Sequence, residues 1–218
     1  MIPPPHFGTS RAGAIPRVLV AGALALAAMG LGGGQSPDPL AARSKGRPDA
    51  PVTVYEMADF QCPACRSFAL ETMPLLEREY VRTGKARFVF IHLPLTSIHA
   101  NAVAAAEVAT CAGRQGRFWE VHDALFLRQA VWAPMGEPGP YLVALADSAG
   151  VERQALVECL TGRTARQEVR ADAERAARAG ARSTPTFYLE GWLLVGAHPV
   201  EVYRRILDSL YDVKTAGR

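Results

Sequence analysis

Two cysteines, Cys62 and Cys65, lie where a strand-like run of the sequence meets a helix-like run, and this junction limits the possible fold more than any other feature. The preceding run Val52–Ala58 (VTVYEMA) is short and rich in β-branched and apolar residues, which predicts a buried strand. Pro63 favours the first turn of a helix, because the N–H group that proline lacks has no partner there. The sequence therefore predicts a strand that leads through the two cysteines into a helix.

The predicted elements continue in the order strand, helix, strand. The apolar pattern places the helix at about residues 66–80, with a kink at Pro74, and a second strand at 86–93. Two strands joined in this way are expected to be parallel, with a right-handed crossover. The cysteines then lie at the carboxyl edge of the first strand, where α/β folds commonly locate their sites.

A long helical stretch interrupts the predicted sheet at about residues 98–180 and makes the fold class α/β with an inserted all-helical subdomain. After it, two short apolar runs, Thr186–Leu189 and Trp192–Val195, predict a hairpin that turns at Gly191, and a last helix is expected at about 200–211. Within the stretch, helices are expected at about 98–114, 117–128, 141–149, 152–160 and 164–179.

The first 34 residues have the composition of an export signal. They contain no acidic residue and two arginines, followed by an apolar run of fourteen residues and three glycines. That run spans about 21 Å, less than a hydrocarbon core of about 30 Å, so we favour a cleaved signal peptide over an uncleaved N-terminal anchor, which stays open. Residues 35–50 are interpreted as a solvated linker, and the expected domain covers 51–213. The net charge of +3 gives no reason to expect a nucleic-acid partner.

The predicted position of Cys62 at a helix N-terminus makes its thiol reactive. Unpaired backbone N–H groups and the helix dipole stabilise a thiolate there, which favours the reduced pair over its disulfide. A Cys-x-x-Cys pair is also half of a zinc site, but Cys111 and Cys159 are 48 positions apart and supply no second pair. We therefore favour redox chemistry over metal binding and expect neither a metal nor an organic cofactor.

Three segments together resemble the DsbA-like branch of the thioredoxin superfamily. They are residues 55–65 (YEMADFQCPAC), 183–187 (STPTF) and 115–123 (QGRFWEVHD). The resemblance covers roughly residues 51–211, and it implies a thioredoxin fold that carries the helical insertion.

The resemblance also implies roles for individual residues. Cys62 would be the exposed nucleophile, Cys65 its buried resolving partner, and Pro185 a cis-proline that faces the pair. Glu56 lies six residues before Cys62, where relatives bury an acidic residue that exchanges a proton with the resolving cysteine; an outward-facing glutamate on the strand is the alternative. Expected substrate contacts are Pro63, Ala64, Thr184 and Phe60, with Met57 beside them.

Cys111 and Cys159 are expected, by the same resemblance, to form a structural disulfide within the insertion. Ala64 stands where strongly oxidising members have histidine, so the reduction potential is left open. Other polar and aromatic residues are assigned ordinary packing or surface roles: His92, His99, His122, Phe118, Trp119, Phe126 and Trp132.

The resemblance implies an exported thiol-disulfide oxidoreductase that introduces disulfides into secreted or periplasmic proteins. An exported reductase or isomerase of the same fold is the first alternative. A second alternative is a non-catalytic binding module in which the cysteines form only a structural cross-link. The implied partners are reduced exported proteins and a membrane redox partner of the DsbB or vitamin K epoxide reductase type. We expect a periplasmic or extracytoplasmic monomer, anchored to the membrane if the N-terminal segment is retained.

Overall fold

The computed structural model describes residues 40–217. The predicted signal peptide or anchor over residues 1–34 lies outside this part of the chain. Among the residues that are described, no helix is both long and apolar enough to cross a membrane.

A mixed sheet of five strands forms the centre of the described residues, in the order β1-β3-β2-β4-β5. The strands β2 and β3 are parallel, and the other neighbouring pairs are antiparallel. The predicted fold class is confirmed, including the parallel pair and the hairpin. The strands are β1 (Ser44–Lys45), β2 (Val52–Ala58), β3 (Ala86–His92), β4 (Thr186–Leu189) and β5 (Trp192–Val195).

The helical run between β2 and β3 alternates twice between α-helical and π-helical hydrogen bonding. Its α-helical parts are α1 (Pro63–Ser67) and α2 (Met73–Leu76), which are followed by π-helical turns at Phe68–Thr72 and Glu77–Val81. Pro74 lies in the first turn of α2. Because proline has no N–H to donate to the preceding turn, the wider π turn accommodates it in place of the predicted simple kink.

Six helices of the described chain form the insertion, and a seventh follows the hairpin. The insertion was predicted well, except that its first helix begins at residue 102 rather than 98 and that the one-turn helix α5 was not expected. The last helix continues to Thr215, beyond the predicted end at 211. The bounds are α3 (Ala102–Gly113), α4 (Phe118–Leu127), α5 (Gln129–Trp132), α6 (Gly139–Ser148), α7 (Arg153–Thr161), α8 (Thr164–Arg178) and α9 (Val200–Thr215).

Apolar side chains cover both faces of the sheet and continue into the insertion. On one face, Val54 packs with Phe68 and Tyr203, and on the other Met57 packs with Ala176 of α8. The core of the insertion joins the sheet at its cysteine end, where Phe60 and Phe90 belong to the same apolar cluster as the helices. The predicted core aromatics agree with this: Phe118, Phe126 and Trp132 are buried, and Trp119 is partly buried.

Cys111 and Cys159 join helices α3 and α7. The structure places them in a disulfide whose Cα atoms are 5.8 Å apart. The disulfide closes a loop of the chain that contains α4, α5 and α6, and it therefore restricts this part of the insertion in the unfolded state.

The prediction of a solvated linker over residues 35–50 is wrong for residues 41–45. Ser44 pairs with Val89 at the edge of the sheet, and the Arg43 side chain is buried against the carboxylate of Asp172. The Asp172 carboxylate also accepts a hydrogen bond from Arg175 at 2.7 Å. The local sequence is basic and proline-rich, and the carboxylate that pairs with Arg43 lies 129 residues later in the chain. Local composition therefore could not predict this buried contact.

The strand β5 is an open edge of the sheet. Its residues are apolar, and Trp192 and Val195 are 76% and 54% exposed. The preceding turn has positive φ angles at both Glu190 and Gly191, as a tight hairpin turn requires.

Candidate active site

Cys62 is the N-cap residue of α1. Its backbone is extended, with φ −75° and ψ 124°, and Pro63 occupies the first turn of the helix. Both Cys62 and Cys65 are free thiols in this structure. Cys62 is 7% exposed and Cys65 is 0% exposed, so Cys62 is less open than the resemblance implies but is the more accessible of the two.

The surroundings of Cys62 stabilise its thiolate. The pKa of Cys62 is lowered from 9.0 to about 5, chiefly by a hydrogen bond from the Cys65 thiol and with help from the Thr184 side chain. The backbone N–H groups of Cys65 and Ala64 contribute in the same direction, and together these donors outweigh the effect of burial. The backbone N–H groups of the helix N-terminus therefore contribute to the lowered pKa, as the sequence pattern predicts, but the largest contribution comes from the Cys65 thiol, which that pattern did not predict.

Cys65 has the opposite character. Burial raises its pKa well above the ordinary value of 9.0, and the hydrogen bond and charge of the neighbouring Cys62 thiolate raise it further. At neutral pH the reduced pair therefore holds one thiolate, on Cys62, and one thiol, on Cys65.

The segment 183–186 closes over the cysteines from the sheet. The Thr184–Pro185 peptide bond is cis, and the Cys62 thiol donates to the Thr184 carbonyl at 3.3 Å. The Pro185 carbonyl accepts from the N–H of Gly196 at 2.7 Å, and the Thr186 hydroxyl donates to the Ser183 carbonyl at 2.7 Å. The structure thus brings Thr184 and Cys62 together, next to the cis-proline that the resemblance implies; the expected substrate contact of Thr184 stays a prediction.

Glu56 lies on β2 and is buried, with 3% of its surface exposed. The alternative of an outward-facing glutamate is therefore wrong. Burial raises the pKa of Glu56 from 4.5 to about 8, against a smaller opposing effect of the Lys45 charge. Its Oε1 atom has no hydrogen-bond partner among the described residues, and its charge contributes to the raised pKa of Cys65. Its proposed part in proton exchange stays a prediction.

Phe60 was expected to contact substrate, and the structure contradicts this. Its side chain is 1% exposed and stacks on Phe90, with ring centroids 5.0 Å apart, and on Phe126 at 5.1 Å. Met57 is likewise buried, so it is not a surface contact either. The physical reason is that Phe60 fills the space between the sheet and the insertion. Pro63 is exposed and Ala64 is partly exposed, and their substrate contacts stay predictions.

A buried amide that the sequence analysis missed contacts the turn before Cys62. The Gln129 Nε2 atom donates to the Phe60 carbonyl at 2.7 Å and to the Cys62 carbonyl at 3.0 Å. Gln129 begins the short helix α5, some seventy residues later in the chain. No local pattern marks it, because it acts on backbone atoms of a distant segment.

Asp59 fixes the same turn from the other side. Its buried carboxylate accepts hydrogen bonds from the Gln61 N–H at 2.7 Å, the Leu95 N–H at 2.8 Å and His99 Nδ1 at 2.7 Å. The sequence analysis gave His99 only an ordinary role, and its partner Asp59 went unmentioned. The turn before Cys62 is therefore held through both backbone and side-chain atoms.

His92 and His122 lie in the apolar seam between the sheet and the insertion. Both are buried, and their rings pack against Phe90 at centroid distances of 5.3 Å. Among residues 40–217, no cluster of three or more histidine, cysteine or acidic side chains could hold a metal ion.

Comparison with known proteins gives one family and two kinds of relative. The thioredoxin family model matches residues 41–209. The chain is 32% identical over 174 residues to the Na(+)/H(+) antiporter NhaA 1 of Salinispora arenicola. The aligned residues cover 80% of this chain and 25% of the antiporter. It is 28% identical over 151 residues to a probable disulfide bond formation protein D of Bacillus anthracis, covering 68% of this chain and 70% of that protein.

The fold is similar to that of a solved DsbA. The crystal structure of Wolbachia pipientis alpha-DsbA1 superposes with a TM-score of 0.72 at 21% identity, covering 80% of this chain and 93% of that one. The chain spans about a quarter of the length of the antiporter that it matches. It therefore corresponds to one region of that longer protein and to most of the disulfide bond formation protein.

Proposed function

Because this chain belongs to the thioredoxin family and has the fold of a DsbA, we propose that it is an exported thiol-disulfide oxidoreductase that introduces disulfides into secreted or periplasmic proteins through its Cys-Pro-Ala-Cys pair. One observation carries the proposal. The pKa of Cys62 is about 5, whereas that of Cys65 is raised well above 9.0. A pair with one strongly stabilised thiolate favours its reduced form, so its disulfide is an oxidant of other thiols.

The reaction begins from the disulfide between Cys62 and Cys65. A client thiolate attacks Sγ of Cys62, a bond forms between the two sulfurs, and Cys65 leaves with the electron pair of the broken disulfide. Because the pKa of Cys65 is high, its sulfur takes up a proton. Glu56, whose pKa of about 8 keeps it protonated at neutral pH, is the buried group proposed to supply that proton.

The second step releases the client. A second client thiolate attacks the client sulfur of the mixed disulfide, the client disulfide forms, and Cys62 leaves as a thiolate. This departure is favourable because a thiol of low pKa is a good leaving group. The client dithiol has lost two electrons, and the Cys62–Cys65 pair has gained them.

The Bacillus relatives support this direction, because they are named for disulfide bond formation. We propose a membrane oxidant of the DsbB or vitamin K epoxide reductase type as the recycling partner. Residues 1–34 would direct the chain out of the cytoplasm as a signal peptide or an anchor, and the working unit would be a monomer.

The proposal is tested by equilibrating the full-length protein in graded glutathione buffers. After alkylation of free thiols, mass spectrometry reports the redox state of each cysteine. We expect the Cys62–Cys65 midpoint well above the glutathione couple, and Cys111–Cys159 oxidised throughout. A midpoint far below the glutathione couple would contradict the oxidase and favour the exported reductase or isomerase.

A client assay adds the direction of transfer. The oxidised protein should form disulfides in reduced, unfolded ribonuclease A in stoichiometric amounts, and Cys62→Ser should abolish this transfer. Equal disulfide formation by the wild type and Cys62→Ser would instead support a binding module that uses the cysteines only as a staple.

A further inference from the structure

The three peptide groups between Phe60 and Pro63 are each fixed by at least one hydrogen bond. The Phe60 carbonyl accepts from Gln129 and the Gln61 N–H donates to the Asp59 carboxylate, so the first group is held at both ends. The Cys62 N–H donates to the Asp59 carbonyl at 3.1 Å. The Cys62 carbonyl accepts from Gln129 at 3.0 Å and from the N–H of Arg66 at 3.1 Å.

We propose that Gln129 is a positioning residue for the reactive thiol, through which the helical insertion fixes the orientation of Cys62 at the N-terminus of α1. Gln129 does not need to touch the sulfur to do this. Its side-chain amide supplies two donors to carbonyl groups on either side of Gln61, and so it sets the plane of the peptide group on each side of the turn.

The orientation of Cys62 decides how well its thiolate is stabilised. The sulfur must face the N–H groups of Ala64 and Cys65, which help to lower its pKa. Without the Gln129 donors, the Phe60 carbonyl would lose its side-chain partner and the Cys62 carbonyl would keep only the Arg66 N–H. The backbone of residues 60–62 would then be held less tightly, so the Cys62 sulfur would face the first-turn N–H groups for a smaller fraction of the time.

The chain offers a matched comparison in Asn101. This side chain is also buried, and its Nδ2 atom also donates to two carbonyls, those of Ala133 at 3.1 Å and Met135 at 2.7 Å. It therefore satisfies the same kind of acceptors as Gln129, and both of these carbonyls lie outside the turn at 60–62. The Asn101 backbone N–H does donate to the Gln61 side chain at 2.8 Å, and Gln61 Nε2 donates to the Ala133 carbonyl at 2.9 Å, but a substitution of the Asn101 side chain leaves both of these bonds in place. Loss of its two bonds measures the general cost of removing a buried amide.

The experiment titrates the thiolate of reduced protein by its absorbance near 240 nm in the full-length chain. Gln129→Met keeps the size of the side chain without donors, and Gln129→Glu replaces the donors with acceptor oxygens. We expect Gln129→Met to raise the Cys62 pKa by about one unit, a tenfold weaker acid, and Gln129→Glu to raise it further. Asn101→Leu should lower stability to a similar extent and leave the Cys62 pKa unchanged.

The outcomes separate this role from the proposed function on which it rests. A folded Gln129→Met protein with the wild-type Cys62 pKa would overturn the positioning role alone, as would an equal shift in Asn101→Leu. A wild-type Cys62 that titrates like a free thiol would contradict the oxidase and this role together. Should Gln129→Met not fold, Gln129→Asn retains the amide but is one methylene short, and an unchanged Cys62 pKa there would also overturn the proposal.

Discussion

At Cys62 the local backbone outweighs the cost of burying a charge. The thiol is nearly enclosed, which by itself raises a cysteine pKa, yet donors from Cys65, Thr184 and Ala64 lower it to about 5. Cys65 is only three residues later and has no comparable set of donors, so burial dominates there. The difference in acidity between the two thiols is therefore a property of position within one helical turn.

The Cys62 thiolate makes the stability of the reduced protein depend on pH. The pKa of Cys62 is about 5 in the folded protein against an ordinary value of 9.0. The stabilisation of the folded state by the thiolate is therefore complete above pH 9 and is lost as pH falls through 5. We expect it to reach about 3 kcal/mol at pH 7. Urea unfolding of reduced wild type and reduced Cys62→Ser measures it as a difference that grows between pH 5 and 9; parallel curves would contradict it.

Glu56 produces the opposite dependence. Its folded pKa is about 8 against an ordinary 4.5, so the folded protein is favoured below pH 4.5 and loses that advantage as pH rises through 8. In the oxidised protein, where Cys62 does not titrate, Glu56→Gln should therefore gain stability relative to wild type as pH rises. The gain by pH 7 is expected to be about 3 kcal/mol in urea unfolding. The exposed Glu137→Gln serves as the control and should show no such trend.

At the scale of elements, the sequence predicted those that depend on local pattern and missed those that depend on distant partners. Periodicity located β2, β3, the hairpin and most of the helices. The strand β1 was missed because the residue directly before it, Arg43, is buried through its contact with Asp172 in α8, which is distant in the sequence. The π-helical turns were also missed, since a change of hydrogen-bond register leaves the apolar spacing nearly unaltered.

The candidate site follows the same division. The two cysteines and the segment around Pro185 could be found from sequence motifs, because each is defined by neighbouring residues. Phe60 was misassigned because its place next to the cysteine turn says nothing about the helices that cover it. Gln129 was missed because its partners are backbone carbonyls, which every residue has.

The contact between the turn that precedes β1 and helix α8 can be tested through Arg43. In Arg43→Leu the buried Asp172 carboxylate would lose one of its two arginine partners and keep Arg175. Because a buried carboxylate is then only partly compensated, we expect the free energy of unfolding to fall by about 3 kcal/mol. Chemical denaturation monitored by circular dichroism measures this. The exposed pair of Arg47 and Asp49 gives the control, because solvent screens this pair and Arg47→Leu should leave the free energy of unfolding nearly unchanged. Equal effects of the two variants would mean that the segment before β2 is not anchored.

The disulfide between α3 and α7 is expected to act on stability and not on the reactive pair. Replacing both Cys111 and Cys159 by alanine removes a cross-link between residues 48 positions apart, which in the chain-entropy model costs about 4 kcal/mol. Urea unfolding measures the loss, and thiolate absorbance should give the wild-type Cys62 pKa. A shift of that pKa would show that the cross-link also shapes the site.

At the scale of the whole described molecule, the seam between the sheet and the insertion is a second acid-sensitive part, besides the Cys62 thiolate. Burial lowers the pKa of both His92 and His122 from 6.5. At His92 the charge of Arg43 lowers the pKa further. At His122 the charge of Lys45 also lowers the pKa, whereas the contact with Asp123 raises it. Each histidine binds a proton more readily when the chain unfolds. Stability from this source is therefore complete above pH 6.5 and falls as the pH decreases below it.

This seam gives a prediction for acid unfolding. His92, whose pKa burial lowers well below 6.5, adds a slope that approaches about 1.4 kcal/mol per pH unit below pH 6, and His122, whose pKa is also lowered, adds to that slope in the same direction. The double variant His92→Gln with His122→Gln should have a flatter dependence of unfolding free energy on pH between 7 and 5, whatever its absolute stability. The same slope in the variant and the wild type would exclude the seam as the source.

In the part of the chain that the structure describes, no strand pairs with the outer edge of β5, beside the exposed side chains of Trp192 and Val195, although His198 contacts the Val195 carbonyl at 2.9 Å. Such an edge invites strands of other molecules to add to it, so self-association at high concentration is expected to start there. A lysine at position 192 would make edge-to-edge stacking costly without disturbing the cysteine end of the sheet. Light scattering on concentrated wild type and Trp192→Lys would then separate colloidal behaviour from redox chemistry.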